Sequence, residues 1–196
     1  MMPMSGWAFN IGQVVQGQVS SSTSGNSTNV TVHSNTAIVN TKDSSIRANE
    51  SVTIDMLSGR SSLLVRDTSY DPTYLLGSLQ TNGRVFFLNP NGIVFGSGFR
   101  ADVGSLVAST LNMSDGDFMK GQYKFSSVPG GAGAITQMAG SLIQARDTVA
   151  FVAPQVTQAG TIEASRVGLA AGTEALLDLD GDGLIFLQVG NAQEAA

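Results

Sequence analysis

The strongest constraint in this chain is a block repeated in its second half. "AGSLIQARDTVAFVAP" (139–154) aligns with "AGTIEASRVGLAAG" (159–172). Each block reads Ala-Gly, a hydroxyl residue, an apolar strand, a short polar corner and a second apolar strand. Gly140 and Gly160 lie 20 residues apart, Ile143 and Ile162 lie 19, and Val149 and Val167 lie 18. A period near 20 with two or three short strands per period is that of a solenoid coil, which buries its apolar face only by stacking on the next coil. Two similar hairpins would give the same pattern, and the repeat alone leaves both open.

The first half reads as strands. In "NVTVHSNTAIVN" (29–40) Val30 and Val32 alternate with polar residues, and Ala37 and Val39 continue the two-residue spacing. "SVTIDM" (51–56) alternates Val52, Ile54 and Met56, and "SSLLVRD" (61–67) is a third strand. One helical signal stands out, the capping pattern Ser114-Asp115-Gly116-Asp117. Gly116 and Gly121 limit it to about a turn. The 23 glycines are spread throughout and mark no linker, so residues 1–196 read as one domain.

Composition then excludes function classes. Charged residues make up 13% of the 196, well below the roughly 25% of an average soluble chain. The ten Lys and Arg are scattered in a chain of net charge −5, so no basic stripe offers itself to nucleic acid or an anionic membrane. No apolar run is long enough to span a bilayer. Met1 to Gly6 lack a charged n-region and a long apolar stretch, which leaves a cytoplasmic chain or one whose leader has been removed. The absence of cysteine excludes thiolate catalysis and Cys-ligated metal.

Few residues carry chemistry. His33 is the single histidine and sits in an alternating strand, where a surface role is expected. No Gly-x-Ser-x-Gly elbow accompanies it. Asp178, Asp180, Asp182 and Gly183 match positions 1, 3, 5 and 6 of a calcium loop, but Val189 stands where a bidentate Glu belongs. An Asp-Gly turn between apolar strands is the expected reading, with no metal and no other cofactor. The remaining acidic residues are dispersed, and 178–182 lacks an obvious basic neighbour in sequence. A polysaccharide-acting enzyme would need carboxylates and a base on one face. A glycan-binding adhesin would need exposed aromatics, and Phe86, Phe87, Phe95 and Phe151 all lie in core-like runs.

Asn89-Pro90-Asn91-Gly92 divides the apolar runs 86–88 and 93–95. Pro90 suits position i+1 of a β-turn and forbids a ladder bond. Asn89 can close an Asx-turn, Asn91 tolerates the left-handed region, and Gly92 needs no side-chain clearance. The expectation is a strong, fold-directing corner. Turn chemistry alone does not say whether a partner reads it.

Several blocks in order carry a resemblance. Gly77-Ser78-Leu79, Asn82-Gly83-x-Val85-Phe86, Asn89-Pro90-Asn91-Gly92-Ile93 and "GSLVASTLN" (104–112) resemble the haemagglutination-activity region of two-partner secretion exoproteins, the filamentous-haemagglutinin-like family. The likeness extends back to "GQVVQGQ" (12–18) and forward to "LAAGTEALLDLDGDG" (169–183). A "WAFNIG" stretch similar to one the family carries after the strand matching "AIVN" sits instead at 7–12, and "TKDSSIR" (41–47) occupies its usual place.

The resemblance implies a right-handed parallel β-helix with an N-terminal cap and short extra-helical strands. Cap and first strands would occupy about 1–60 and coils about 61–196, as a fragment of a larger exoprotein. It also implies a non-enzymatic secretion module that targets that exoprotein to an outer-membrane transporter through periplasmic POTRA domains and nucleates folding at the cell surface. The chain would be monomeric and would transit the periplasm of a Gram-negative bacterium. Asn89, Pro90, Asn91, Gly92 and Ile93 would be the transporter-recognition or fold-directing turn. The alternatives are a glycan-binding adhesin module and, behind it, a β-helix enzyme.

Overall fold

The computed structural model describes residues 9–181. The chain winds as a right-handed parallel β-helix. Its cap is two strands that each run antiparallel to a strand of the first coil, β1 (Gln13–Gln16) and β2 (Val19–Ser24). Parallel stacking starts with β3 (Ser27–Val32) and β4 (Thr36–Thr41). The second coil is β5 (Ser51–Met56), β6 (Ser62–Asp67) and β7 (Thr73–Leu75). The third is β8 (Ser78–Thr81), β9 (Arg84–Leu88) and β10 (Ile93–Phe95).

The fourth coil begins with β11 (Arg100–Val103) and β12 (Ser105–Ser109). An excursion then leaves the helix through α1 (Asp115–Met119) and β13 (Tyr123–Ser126) and returns at β14 (Ala134–Gln137). The fifth coil is β15 (Leu142–Ala145), β16 (Thr148–Ala153) and β17 (Gln155–Gln158). The last holds β18 (Thr161–Glu163) and β19 (Arg166–Ala171), after which β20 (Glu174–Leu177) leaves the helix to pair antiparallel with β13.

Three sheets run along the solenoid. Sheet A is β1-β4-β6-β9-β12-β16-β19, sheet B is β18-β15-β11-β8-β5-β3-β2 and sheet C is β17-β14-β10-β7. Only β1 and β2 are antiparallel in A and B, so each seven-stranded sheet has six parallel rungs. The repeat in the sequence is the true register: Ile143 stacks on Ile162 and Val149 on Val167. The hairpin alternative is therefore set aside. The helical signal is also met, since Ser114 caps α1 by accepting from Asp117 N at 3.1 Å.

Side-chain alternation sends one set of residues into the lumen. Val65, Phe87, Ala108 and Phe151 stack in one inner row, large against small. Phe95 stacks on Phe151 with ring centroids 5.0 Å apart. Phe9 and Ile11, from the displaced "WAFNIG" stretch, are buried in this same core at its N-terminal end. The segment "TKDSSIR" supplies Ile46, which bridges to Leu75 and covers the edge of sheet C.

Sheet A is buried on both faces, which alternation did not foretell. Its outward row Ile38, Leu64, Phe86, Val107 and Ala150 forms a second core with Phe118, Tyr123 and Leu177 of the excursion and β20. This explains why β9, β12 and β16 are buried without interruption. Among the described residues no helix is long and apolar enough to cross a membrane.

Candidate functional site

The Asn-Pro-Asn-Gly corner joins sheet A to sheet C between β9 and β10. Gly92 N donates to Asn89 O at 3.2 Å, which closes a β-turn with Pro90 at i+1. Asn91 N donates to Asn89 Oδ1 at 2.9 Å, an Asx-turn inside it. The left-handed conformation falls on Gly92 (φ 126°) and not on Asn91. A Cβ at Gly92 would be strained whatever the space around it.

The two asparagine side chains reach back to the preceding coil. Asn89 is wholly buried, and its Nδ2 donates to Asp71 O and to Thr73 Oγ1, both at 2.9 Å. Asn91 Nδ2 donates to Ser69 O at 2.9 Å. Thr73 belongs to a larger buried polar cluster. Its hydroxyl lies 2.6 Å from Ser44 Oγ, and Asp67 Oδ2 accepts from Ser44 N and Ser44 Oγ, each at 2.8 Å. Coils one, two and three are thus joined by side-chain bonds where a corner interrupts the backbone ladder. Burial without such bonds would carry the full desolvation penalty of each group.

The returning excursion closes the corner from the other side. Gly133 N donates to Pro90 O at 3.1 Å, and Thr110 Oγ1 donates to Gly133 O at 2.8 Å. Ile93 is buried and paired with Thr73 below and Ile135 above. Of the five residues singled out in the sequence, only Asn91 is well exposed; Pro90 is half-buried and the other three are inside.

The sequence model of the TPS secretion domain family matches residues 9–194. The chain belongs to that family. The TPS secretion domain gives the chain a two-partner secretion role, that of a secretion module and not of a known enzyme. A search of curated protein sequences finds no match. Among solved structures, the HMW1 secretion domain from Haemophilus influenzae is similar with a TM-score of 0.81 and 27% identity. The similarity covers 93% of this chain and 49% of that one, so the TPS secretion domain here spans about half the length of the solved chain.

The remaining candidates in this TPS secretion domain are placed as follows. His33 is exposed, with its Nε2 2.9 Å from Ser20 Oγ across the cap. Asp178 Oδ1 accepts from Asp180 N at 3.0 Å and Gly181 N at 2.8 Å, an Asx-turn. Asp180 has a basic neighbour after all. Arg84 Nη2, 96 residues earlier, lies 2.6 Å from its Oδ1. The hydrogen bond to Arg84 holds the Asp180 carboxyl below its ordinary value against the opposing effect of burial, and Asp180 in turn raises the guanidinium. Asp182, Gly183 and Val189 lie outside the described residues, and among those described no three His, Asp or Glu are grouped to hold a metal.

Two surface features escaped the sequence. Asp102, Arg146 and Glu163, distant in the chain, line one shallow groove on the outer face of sheet B. Arg146 there donates to Thr81 O and Glu163 accepts from Gln144, so both are engaged within the fold. Exposed aromatics also exist: Tyr70 sits between Ser69 and Asp71, and Tyr74 follows Thr73, all three being partners of the corner asparagines. An aromatic next to Ser and Asp in a loop carries no periodic signal, so only the three-dimensional placement reveals it.

Proposed function

We propose that this domain targets a larger exoprotein to its outer-membrane transporter by engaging the transporter's periplasmic POTRA domains, and that it nucleates β-helix folding at the cell surface. The exoprotein is exported across the periplasm of a Gram-negative cell, and the domain acts as a monomer. Its adhesive or other activity resides in parts of the exoprotein beyond this domain.

The observation that carries the folding half is the asymmetry of the solenoid's ends. At the N-terminal end β1 and β2 pair antiparallel over the first coil, and Phe9 and Ile11 plug the lumen. At the other end, among the described residues, β17, β18 and β19 are the outermost strands of their sheets. Val167 and Leu169 are 46% and 45% exposed in the last rung of sheet A. A strand edge with unpaired N–H and C=O groups over an uncovered apolar layer is a template for the next coil. Growth in one direction from the capped end supports a nucleus for folding.

The experiment is an export assay of the parent chain. Full-length exoprotein is co-expressed with its cognate transporter and measured in the medium. Removal of residues 9–181 from the exoprotein, or of the POTRA domains from the transporter, is expected to abolish export. Export that survives either deletion overturns the targeting role.

A further inference from the structure

We infer that the outer cover of sheet A is a strap: residues 113–126 and 173–181 open and close as one unit over a solenoid that stays folded. The two segments are distant in the chain and carry α1, β13 and β20. Among the described residues, β13 and β20 pair only with each other, and no rung joins their small sheet to sheets A, B or C. Every other strand sits in a ladder that runs along the solenoid. The roots of the strap are open to solvent, since no residue of 127–132 or of 171–174 is fully buried.

Two kinds of contact hold the strap down. Phe118, Tyr123 and Leu177 lie in one cluster with the outward row of sheet A. Around that apolar patch, three arginines of sheet A reach out to the strap. Arg66 of β6 pairs with Asp115 at 2.7 Å and donates to Met113 O at 2.8 Å. Arg84 of β9 pairs with Asp180 at 2.6 Å. Arg166 of β19, already paired with Asp147, donates to Leu179 O at 3.3 Å. Arg66 thus grips the first segment, and Arg84 and Arg166 grip the second.

The segments are bound into one unit by their own backbone. β13 and β20 share four paired positions, and Ser127 N donates to Thr173 O at 2.8 Å just beyond them. Lifting either segment therefore lifts the other. Lifting both breaks no rung of the solenoid, whereas unwinding a coil breaks rungs in all three sheets. A part held by side chains alone opens at a lower free energy than the ladders beneath it. The lumen core lies on the other face of sheet A and keeps its members when the strap lifts. What the opening bares is the outward row through Leu64, Phe86 and Val107. A contiguous apolar strip is a surface on which proteins associate. The three arginines set how often the domain shows it.

The test is amide hydrogen exchange of the purified domain, read by mass spectrometry under native conditions. In the wild type, β13 and β20 are expected to exchange together, about tenfold or more faster than β9, β12 and β16. Two variants then probe the coupling from opposite ends. Arg66→Met removes a grip on the first segment and is expected to speed exchange in β20, which Arg66 does not touch. Asp180→Ala removes a grip on the second and is expected to speed exchange in α1. Both effects should be several-fold, with sheet B unchanged in each variant. A wild type whose β13 and β20 exchange as slowly as β9, β12 and β16 overturns the inference, because the cover then opens only with the whole domain. Variants that speed exchange only in the segment they touch overturn it too, since the cover is then two flaps. Acceleration spread equally over sheets A, B and C would make the arginines general supports of the fold, and overturns it as well.

Discussion

Asn89 and Thr73 face each other across two coils of the solenoid, with the amide nitrogen of one 2.9 Å from the hydroxyl of the other. Both side chains are wholly buried. Thr73 passes the connection on to Ser44 and through it to the Asp67 carboxylate. Backbone ladders hold the three sheets, but they stop at the corners. This chain of side-chain bonds replaces them at the corner between sheets A and C.

Asn89→Ala should therefore destabilise the domain by about 1–3 kcal/mol, since the Asp71 carbonyl and Thr73 hydroxyl lose a buried donor. Asn91→Ala should cost about 1 kcal/mol or less, because water can replace its exposed bond to Ser69. Urea denaturation of the purified domain separates the two. Equal midpoints for both variants would contradict the buried network as the source of corner stability.

Gly133 meets the same corner from above. A Cβ at this position would lie 2.4 Å from Pro90 O and 2.5 Å from Gly92 N, so backbone must shift to admit it. Gly133→Ala is expected to cost about 1–3 kcal/mol, as overpacking does in a tight interior. Amide hydrogen exchange should show the loss of protection centred on residues 90–92 and 133–137. Unchanged exchange there would mean the excursion does not seat on the turn.

Phe86 is the pivot of the second core. Its ring lies 5.0 Å from Phe118, edge to face, and 4.8 Å from Tyr123. Phe86→Ala should destabilise by about 3–5 kcal/mol. It should also detach α1 and β13 from sheet A, seen as dye binding to the uncovered apolar strip. A loss below about 1 kcal/mol would mean that the excursion is not what keeps sheet A dry.

How much of this was legible depends on distance along the chain. Val30, Val32, Val52 and Ile54 announce their strands by alternation, and Ile143 and Ile162 announce the period, because each signal is local. Ile38 was passed over between Ala37 and Val39. It is buried by segments that lie beyond residue 110, and a period of two cannot show a second covered face. The corner was legible as a turn because Pro and Gly act on their own backbone. The partners of Asn89 and Asn91, 16 to 22 residues earlier, were not. Nor was the pairing of Arg84 with Asp180, which depends on β20 turning back over sheet A.

The acidic loop should respond little to calcium. One oxygen of Asp178 caps two backbone amides and one oxygen of Asp180 is paired with Arg84. Cation binding would have to break these contacts. Millimolar calcium or EDTA is expected to leave the denaturation midpoint where it was. A calcium-dependent rise in the midpoint, lost in Asp180→Ala, would assign the loop to metal binding instead.

The Arg84–Asp180 pair makes a prediction about pH. Its two ends differ: the Arg84 side chain is only 8% exposed, while Asp180 is 60% exposed. The carboxyl is held below its ordinary value, mainly by the hydrogen bond from Arg84. A group depressed in the folded state contributes stability above its unfolded pKa and loses it as pH falls through the folded one. The raised guanidinium titrates too high to matter in this range. Asp180→Asn should thus be less stable than wild type at neutral pH, by under about 1 kcal/mol because solvent screens the exposed partner. The gap should persist down to the ordinary carboxylate range and close below it, where wild-type Asp180 is itself neutral. Urea midpoints of the two proteins, measured from about pH 7 to about pH 3, test this directly. A gap that stays constant into acid would show that Asp180 acts through its shape and hydrogen bonding, and that the charge contributes nothing.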